Sequence, residues 1–318
     1  MTKNFKFFLI PFVLSLPFWW GINSLQANLE DIFYWRELTH NPKLLAAQAN
    51  QLAFEENIRN LKPLRNNRVA DFTTDSRAAI SLLINNYGEE KILFEKNTDE
   101  NLPIASLTKL MTAYVILENY DLAKEIKISQ TAVSQEENLG KLSINEILSV
   151  KTLLYPLLME SSNDAAFSLA NDYDGMTEEV FVELMNLEAR KIGLKNTLFY
   201  NVTGLDDDVS GKTNYASARD LTILAQTLLK TPLIWEILAT RQINLYGAEL
   251  VNSNKLLGIV PEIIGGKTGY TEQALGCFIL VLEAPKNNQY LINVILGSHD
   301  RFGEMEKLID WTARAYKW

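Results

Sequence analysis

Strand-type sequence flanks a helical middle in the region beyond residue 70, and that arrangement limits what the chain can fold into. Ala78 to Ile84 and Lys91 to Glu95 are β-rich runs joined by Asn85-Asn86-Tyr87-Gly88, a hairpin-like connection. Ile243 to Val251, Ile263 to Lys267, Gly276 to Leu282 and Tyr290 to Leu296 have the same character, with turn residues such as Lys286-Asn287-Asn288 between them. Between these groups, residues 140–235 are mostly helical in pattern, with Ala216 to Leu229 the clearest stretch. Leu107 to Leu117 is apolar at helical spacing and lacks glycine and proline. From Arg301 to Tyr316, one helical face carries Phe302, Met305, Leu308, Ile309, Thr312 and Tyr316, which predicts a core helix laid on a sheet rather than an interfacial membrane helix. Strands from both ends around a helical insert predict an α/β fold: an antiparallel sheet flanked by helices, plus a mostly helical subdomain.

The N-terminus has a different character. Lys3 and Lys6 precede an apolar block, residues 7–22, while Glu30 and Asp31 follow it. A basic end before an apolar block is the pattern of an export signal, and the charge asymmetry keeps that end in the cytoplasm and sends the bulk of the chain across. Residues 1–27 are therefore read as a signal peptide or N-terminal membrane anchor. Ala27 could precede a cut, although Leu25 is larger than a cleavage site prefers, so both forms stay open. Residues 28–70 are polar, with Leu45, Ala49 and Leu52 at helical spacing before Pro63, and read as a partly helical spacer. Residues 71–318 are the expected catalytic domain. The expected location is extracytoplasmic, either secreted or tethered to the membrane through residues 7–22.

Several chemistries are disfavoured. The two histidines, His40 and His299, stand in no metal-ligand spacing, and neither has the setting of a Ser-His-Asp triad. The single cysteine, Cys277, lies inside an apolar strand, a poor place for a reactive thiol. A net charge of −9, with no basic run, argues against a nucleic-acid partner and requires any anionic substrate to meet a local cation. No metal or cofactor is expected. With histidine set aside, lysine is the strong base left for a serine nucleophile.

Three short motifs supply that pairing. Ser106-Leu107-Thr108-Lys109 opens the 107–117 helix; residues three apart on a helix are neighbours, so the Lys109 amine can reach the Ser106 hydroxyl. The helix N-terminus also aims N–H groups at developing negative charge. Ser161-Ser162-Asn163 adds a hydroxyl suited to passing a proton and an amide with both donor and acceptor, fit to grip a peptide group. Lys267-Thr268-Gly269 puts a cation beside a hydroxyl, with a glycine that lets backbone approach a ligand, next to a strand edge that an extended peptide could join. Lysine is a base only when neutral. Its reference pKa of about 10.4 falls with desolvation and with a second ammonium nearby, which Lys267 could supply to Lys109. Alone, each motif has a plainer reading: Ser106 as a helix N-cap with a solvated Lys109, the 161–163 stretch as an N-cap before Asp164, and Lys267 in an exposed turn.

In this order, in an exported chain, the three motifs resemble the serine-type D-alanyl-D-alanine carboxypeptidases, low-molecular-mass penicillin-binding proteins of the β-lactamase/transpeptidase-like superfamily. The likeness extends to PIASLTKLMTAYVILE (103–118), LLYPLLMESSNDAA (153–166), GLKNTLFYNVTGL (193–205), ASARDLTIL (216–224) and GGKTGYTEQ (265–273), and spans roughly residues 71–318. The resemblance implies that Ser106 attacks the carbonyl between two D-alanines of a peptidoglycan pentapeptide, that Lys109 takes its proton, and that Ser161 helps pass it to the departing amine. It implies that Asn163 and residues 267–269 hold the peptide, that Lys267 and Thr268 hold its carboxylate, and that the N–H groups of Ser106 and Tyr270 form an oxyanion hole. β-Lactams are the implied inhibitors.

Two departures stand out. Ser162 occupies a position where the family often has glycine, which is tolerable if its side chain points away from the cleft. Many relatives carry a C-terminal β-rich domain and an amphipathic anchor, and neither is expected here. A class A β-lactamase would need a glutamate in an E-x-x-L-N string, which is missing. Two more functions fit the same motifs: a D,D-endopeptidase that cuts peptide cross-links and, without catalysis, an inactive wall-binding module.

Overall fold

The computed structural model describes residue 50 and residues 63–85, 88–136, 139–207, 209, 211–285 and 289–318. The expected signal or anchor over 1–27, most of the 28–70 spacer, and the turn residues 86–87 and 286–288 lie outside them. The chain divides into two compact units, Met1–Leu64 and Arg65–Trp318, and the second carries everything that follows.

Its centre is a five-stranded antiparallel sheet built from both ends of the sequence, as expected. The strands are β1 (Ala78–Asn85) and β2 (Glu90–Lys96) from the beginning of the unit. Helix α1 (Thr108–Asn119) follows, then α2 (Val150–Met159), α3 (Asn163–Asn171), α4 (Glu178–Lys191), α5 (Ala218–Leu228) and α6 (Pro232–Ala239). Strands β3 (Ile263–Thr271), β4 (Leu275–Glu283) and β5 (Gln289–Ser298) complete the sheet, and α7 (Arg301–Ala315) follows it. The strand order is β3-β4-β5-β1-β2, so the late strand β5 pairs with the early strand β1.

Both faces of the sheet are covered, which is why β1, β4 and β5 read as almost continuous apolar runs. Alternation still sorts the residues. Ala78, Ile80, Leu82, Ile279, Val281, Ile292 and Val294 join the core under the helical side. Ala79, Leu83, Phe278, Leu280, Leu291 and Ile295 face α7, which presses Met305, Leu308, Trp311 and Ala315 against them. The expected core helix is thus present, and its first turn is capped by the Asp300 side chain, which accepts from the Gly303 N–H at 3.0 Å. Phe72 meets Phe94 edge-on at 4.9 Å beside Trp311, whose indole donates to the Ala70 carbonyl at 2.8 Å.

On the other side α1 is buried all round from Thr108 to Ile116, the environment of a central helix. Side-chain caps start its neighbours: Ser149 accepts from Thr152, Thr177 from Val180, and Ser217 from Asp220. Two strand expectations change in detail. Residues 242–251 form a separate hairpin, Gln242–Leu245 with Ala248–Val251, outside the main sheet. Tyr246 and Gly247, both at positive φ, turn the chain there. Strand β3 does not stop at Lys267 but runs on to Thr271, because each of its residues through the motif pairs with β4, Lys267 opposite Ile279 and Gly269 opposite Cys277.

Candidate active site

The nucleophile turn is held between two short pairings. Leu102–Pro103 pairs with Tyr215–Ala216, and the chain then makes a 3-10 turn, Ala105–Leu107, before α1 begins. Ala105 sits at φ 47°, a left-handed conformation that an alanine adopts only when its surroundings impose it. Ser106 is the half-buried middle residue of this turn and caps no helix, which removes the N-cap reading. Lys109 is fully buried in the first turn of α1. Its Nζ lies 3.0 Å from Ser106 Oγ, 2.7 Å from Asn163 Oδ1 and 2.7 Å from the Thr203 carbonyl. A neutral amine has two N–H donors and one lone pair. Asn163 and Thr203 offer acceptors to Lys109, and the Ser106 hydroxyl, 3.0 Å away, is placed to give up its proton once that amine is unprotonated.

The Thr203 carbonyl is delivered by a tightly tied loop. Asn201 Oδ1 accepts from the Gly204 N–H at 2.7 Å, Thr112 Oγ1 donates to the Val202 carbonyl at 2.8 Å, and Asn214 Nδ2 bridges Thr108 Oγ1 and the Asn201 carbonyl at 3.0 and 2.9 Å. Gly204 has φ 89°, and a Cβ there would fall 2.0 Å from the Ala105 carbonyl oxygen, so only glycine lets this loop lie on the nucleophile turn.

Ser161 is held at φ 66° just past the end of α2. Its Oγ is 2.8 Å from Lys267 Nζ, which also donates to the Thr268 carbonyl at 2.9 Å. Lys267 is wholly buried in β3, not in an exposed turn. Burial, the Lys109 ammonium and the Arg301 guanidinium together hold its pKa well below the ordinary lysine range. The sequence put the depressed lysine at Lys109 with Lys267 as the perturbing charge; the depression seen here is at Lys267, whose amine rests on Ser161. Ser162, the departure from the glycine-bearing pattern, turns away from Ser106 and caps α3: its Oγ accepts from the Ala165 N–H at 2.9 Å and donates to Asp164. Asn163, beside it, points inward, accepting from Lys109 and donating to the Glu136 carbonyl at 2.8 Å, which leaves one amide hydrogen.

Strand β3 is an edge of the sheet. Its glycine runs against the nucleophile turn: a Cβ on Gly269 would lie 3.0 Å from Ser106 N and 3.0 Å from the Ile104 carbonyl oxygen. This close approach sets the backbone of Gly269 and Tyr270 alongside the Ser106 N–H, the neighbourhood in which the oxyanion hole was expected. Thr268 is buried, its hydroxyl 2.7 Å from that of Ser253. The Tyr270 ring is exposed at the mouth, with the Arg301 guanidinium 6.0 Å from its centroid and Arg301 Nη1 3.4 Å from the Gly269 carbonyl.

Ser106, Lys109, Ser161, Asn163, Lys267, Thr268 and Gly269 thus share one crevice. Thr203, Gly204, Asn214, Ser253 and Arg301 join them without having been singled out from sequence. Asn201-Val202-Thr203-Gly204 lies in a stretch that resembles the family, but a backbone carbonyl has no side-chain signature. Such a constellation suits acyl transfer: a hydroxyl beside an amine, a second hydroxyl–amine pair, and backbone donors at the reacting carbon.

Residues 68–300 match the Peptidase_S11 family model, described as D-alanyl-D-alanine carboxypeptidase. The chain is 35% identical over 240 residues to D-alanyl-D-alanine carboxypeptidase DacF of Bacillus subtilis, covering 71% of this chain and 60% of that protein. It is 34% identical over 248 residues to a D-alanyl-D-alanine endopeptidase of Pseudomonas aeruginosa, covering 74% and 77%. Penicillin-binding protein D2 of Listeria monocytogenes, solved with cefotaxime bound, superposes with a TM-score of 0.66 at 30% identity over 76% of this chain and 99% of that one. The chain spans about three fifths of the length of the Bacillus carboxypeptidase, and on the family match and these identities it belongs to the Peptidase_S11 family.

Proposed function

We propose that this chain is a serine D-alanyl-D-alanine carboxypeptidase that trims peptidoglycan stem peptides and is acylated by β-lactams. The observation that carries the reading is the buried Lys109 Nζ held 3.0 Å from Ser106 Oγ. In the first step the Ser106 proton passes to Lys109 as Oγ bonds to the penultimate D-alanine carbonyl carbon. Negative charge on that carbonyl oxygen is met by the Ser106 and Tyr270 N–H groups. Ser161, 2.8 Å from Lys267, gives its proton to the departing nitrogen as the C–N bond breaks and takes one back from the Lys109 ammonium, so D-alanine leaves and Lys109 is a neutral amine again. Water then gives a proton to Lys109 as its oxygen bonds to the acyl carbon, and that proton passes to Ser106 Oγ as the ester bond breaks, restoring the serine. The substrate carboxylate is received by the Thr268 hydroxyl and the Lys267 amine beside it, with the Arg301 guanidinium supplying positive charge.

The named carboxypeptidases support this choice, as do the ampicillin and cefotaxime complexes of the Listeria protein. The endopeptidase relatives favour, as a second reading, cleavage of the same bond type inside a cross-link. An extracytoplasmic location, with residues 7–22 acting as export signal or membrane tether, completes the proposal. The test is D-alanine release from a pentapeptide and the intact mass after penicillin treatment. Wild type is expected to release D-alanine and gain one drug mass, and Ser106→Ala to do neither. An adduct on Ser106→Ala would falsify the nucleophile assignment.

A further inference from the structure

Strand β3 turns Thr268 toward a neighbour that the mechanism above does not use. Its hydroxyl lies 2.7 Å from Ser253 Oγ, and among the described residues this is the one hydrogen bond of each hydroxyl. Ser253 sits in Asn252-Ser253-Asn254, a segment fixed on every side. Its N–H donates to the Met159 carbonyl at 2.8 Å, two residues ahead of Ser161. Asn252 Nδ2 donates to the Leu238 and Thr240 carbonyls at 3.1 and 3.0 Å, and Asn252 Oδ1 accepts from the Asn254 N–H at 2.9 Å. Asn254 Oδ1 accepts from the Leu256 N–H at 3.0 Å. Both asparagines are buried, while Ser253 between them is half-buried and opens toward the crevice.

Two hydroxyls at this distance share one hydrogen. If Thr268 donates to Ser253, its lone pairs face the crevice and repel an anion. If Ser253 donates, the Thr268 hydrogen is free to point at the ligand. The rigid Ser253 can hold the second arrangement once a carboxylate arrives, because a hydrogen bond to an ionised acceptor is about twice as strong as one to a neutral acceptor.

Building on the carboxypeptidase reading, we propose that Ser253 is a positioning residue: it polarises the Thr268 hydroxyl toward the free terminal carboxylate of the substrate and so favours chain ends over peptide bonds that continue into an amide. The preference lies in binding, because the carboxylate keeps the same charge throughout acylation. Loss of the Ser253 hydroxyl frees the Thr268 rotor and weakens one charge-assisted hydrogen bond.

Steady-state kinetics of Ser253→Ala on a D-Ala-D-Ala peptide with a free carboxylate, and on the same peptide C-terminally amidated, provide the test. The expected result is a rise in KM of roughly three- to tenfold on the acid, with kcat changed less than about twofold and the amide barely affected. Ser253→Thr, which keeps a hydroxyl, restores the acid KM, and Ser253→Cys, close in volume but a weak donor, falls between. Equal losses on acid and amide, an unchanged acid KM, or a Thr variant as impaired as Ala would overturn the proposal. If wild type releases no D-alanine, the carboxypeptidase reading fails by itself. The role of Ser253 is then decided on acylation by benzylpenicillin against its methyl ester, where the same acid-selective loss is expected and an equal loss refutes it.

Discussion

Replacing Lys267 with methionine separates its two effects, on chemistry and on stability. The side chain is wholly buried and its amine makes two hydrogen bonds, to Ser161 Oγ at 2.8 Å and to the Thr268 carbonyl at 2.9 Å. Methionine fills most of the volume and makes neither. Two such bonds at about 0.5–1.5 kcal/mol each come to about 1–3 kcal/mol. If the loss falls on the acylation transition state through a misplaced Ser161, acylation slows roughly 5- to 150-fold. The stability effect has a definite sign. The folded-state pKa of Lys267 lies well below its ordinary 10.5, so between those two values the unfolded chain carries a proton that the folded chain does not. Stability therefore rises with pH across that window, by at most about 1.4 kcal/mol per pH unit, and the rise is complete above 10.5. Urea unfolding of wild type and Lys267→Met at a series of alkaline pH values, with penicillin acylation followed in parallel, checks both. A difference in stability between the two proteins that does not vary with pH refutes the buried-amine argument, and undiminished acylation refutes the link to Ser161.

Two further substitutions probe the supports of the site. Gly204→Ala forces a left-handed alanine whose Cβ would lie 2.0 Å from the Ala105 carbonyl; a loss of at least about 1–3 kcal/mol is expected, together with most of the penicillin acylation, and a wild-type acylation rate would remove the 201–204 loop from the machinery. Ser162→Ala loses the α3 cap and is expected to cost about 0.5–2 kcal/mol in urea unfolding while still taking up penicillin. Ser162→Gly, the residue more usual in the family, should cost only a few tenths, and equal costs for the two would deny the capping role.

The sheet and the reactive motifs were legible because each depends on side-chain type. β1 and β4 are apolar enough to demand burial, and Ser106 and Lys109 stand one helical turn apart on any helix that starts there. What escaped depends on tertiary placement. The carbonyl of Thr203 reaches Lys109 only because Asn201, Asn214 and a left-handed Gly204 fold the loop back. Ser253 looks like any serine between two asparagines until β3 is laid beside it. The division of labour between the two lysines was half visible. Their proximity followed from the motifs, but the contact of Lys267 with Ser161 requires knowing that β3 continues through the motif as a buried strand. Ile243 to Val251 read as one strand because the Tyr246-Gly247 turn interrupts it so briefly.

The strand order also bears on how the molecule is made. β5, synthesised last, lies between the early hairpin and the late one. A chain leaving the ribosome must carry β1 and β2 with an unsatisfied apolar flank until nearly the whole polypeptide has emerged, and contacts so distant in sequence form late. For most of that interval the surroundings of Ser106 are incomplete, since β3, which brings Gly269 against the nucleophile turn and Lys267 to Ser161, has not yet been made. A chain cut short before residue 263 would lack Lys267, Thr268 and Gly269, and with them the edge strand that lies against the nucleophile turn.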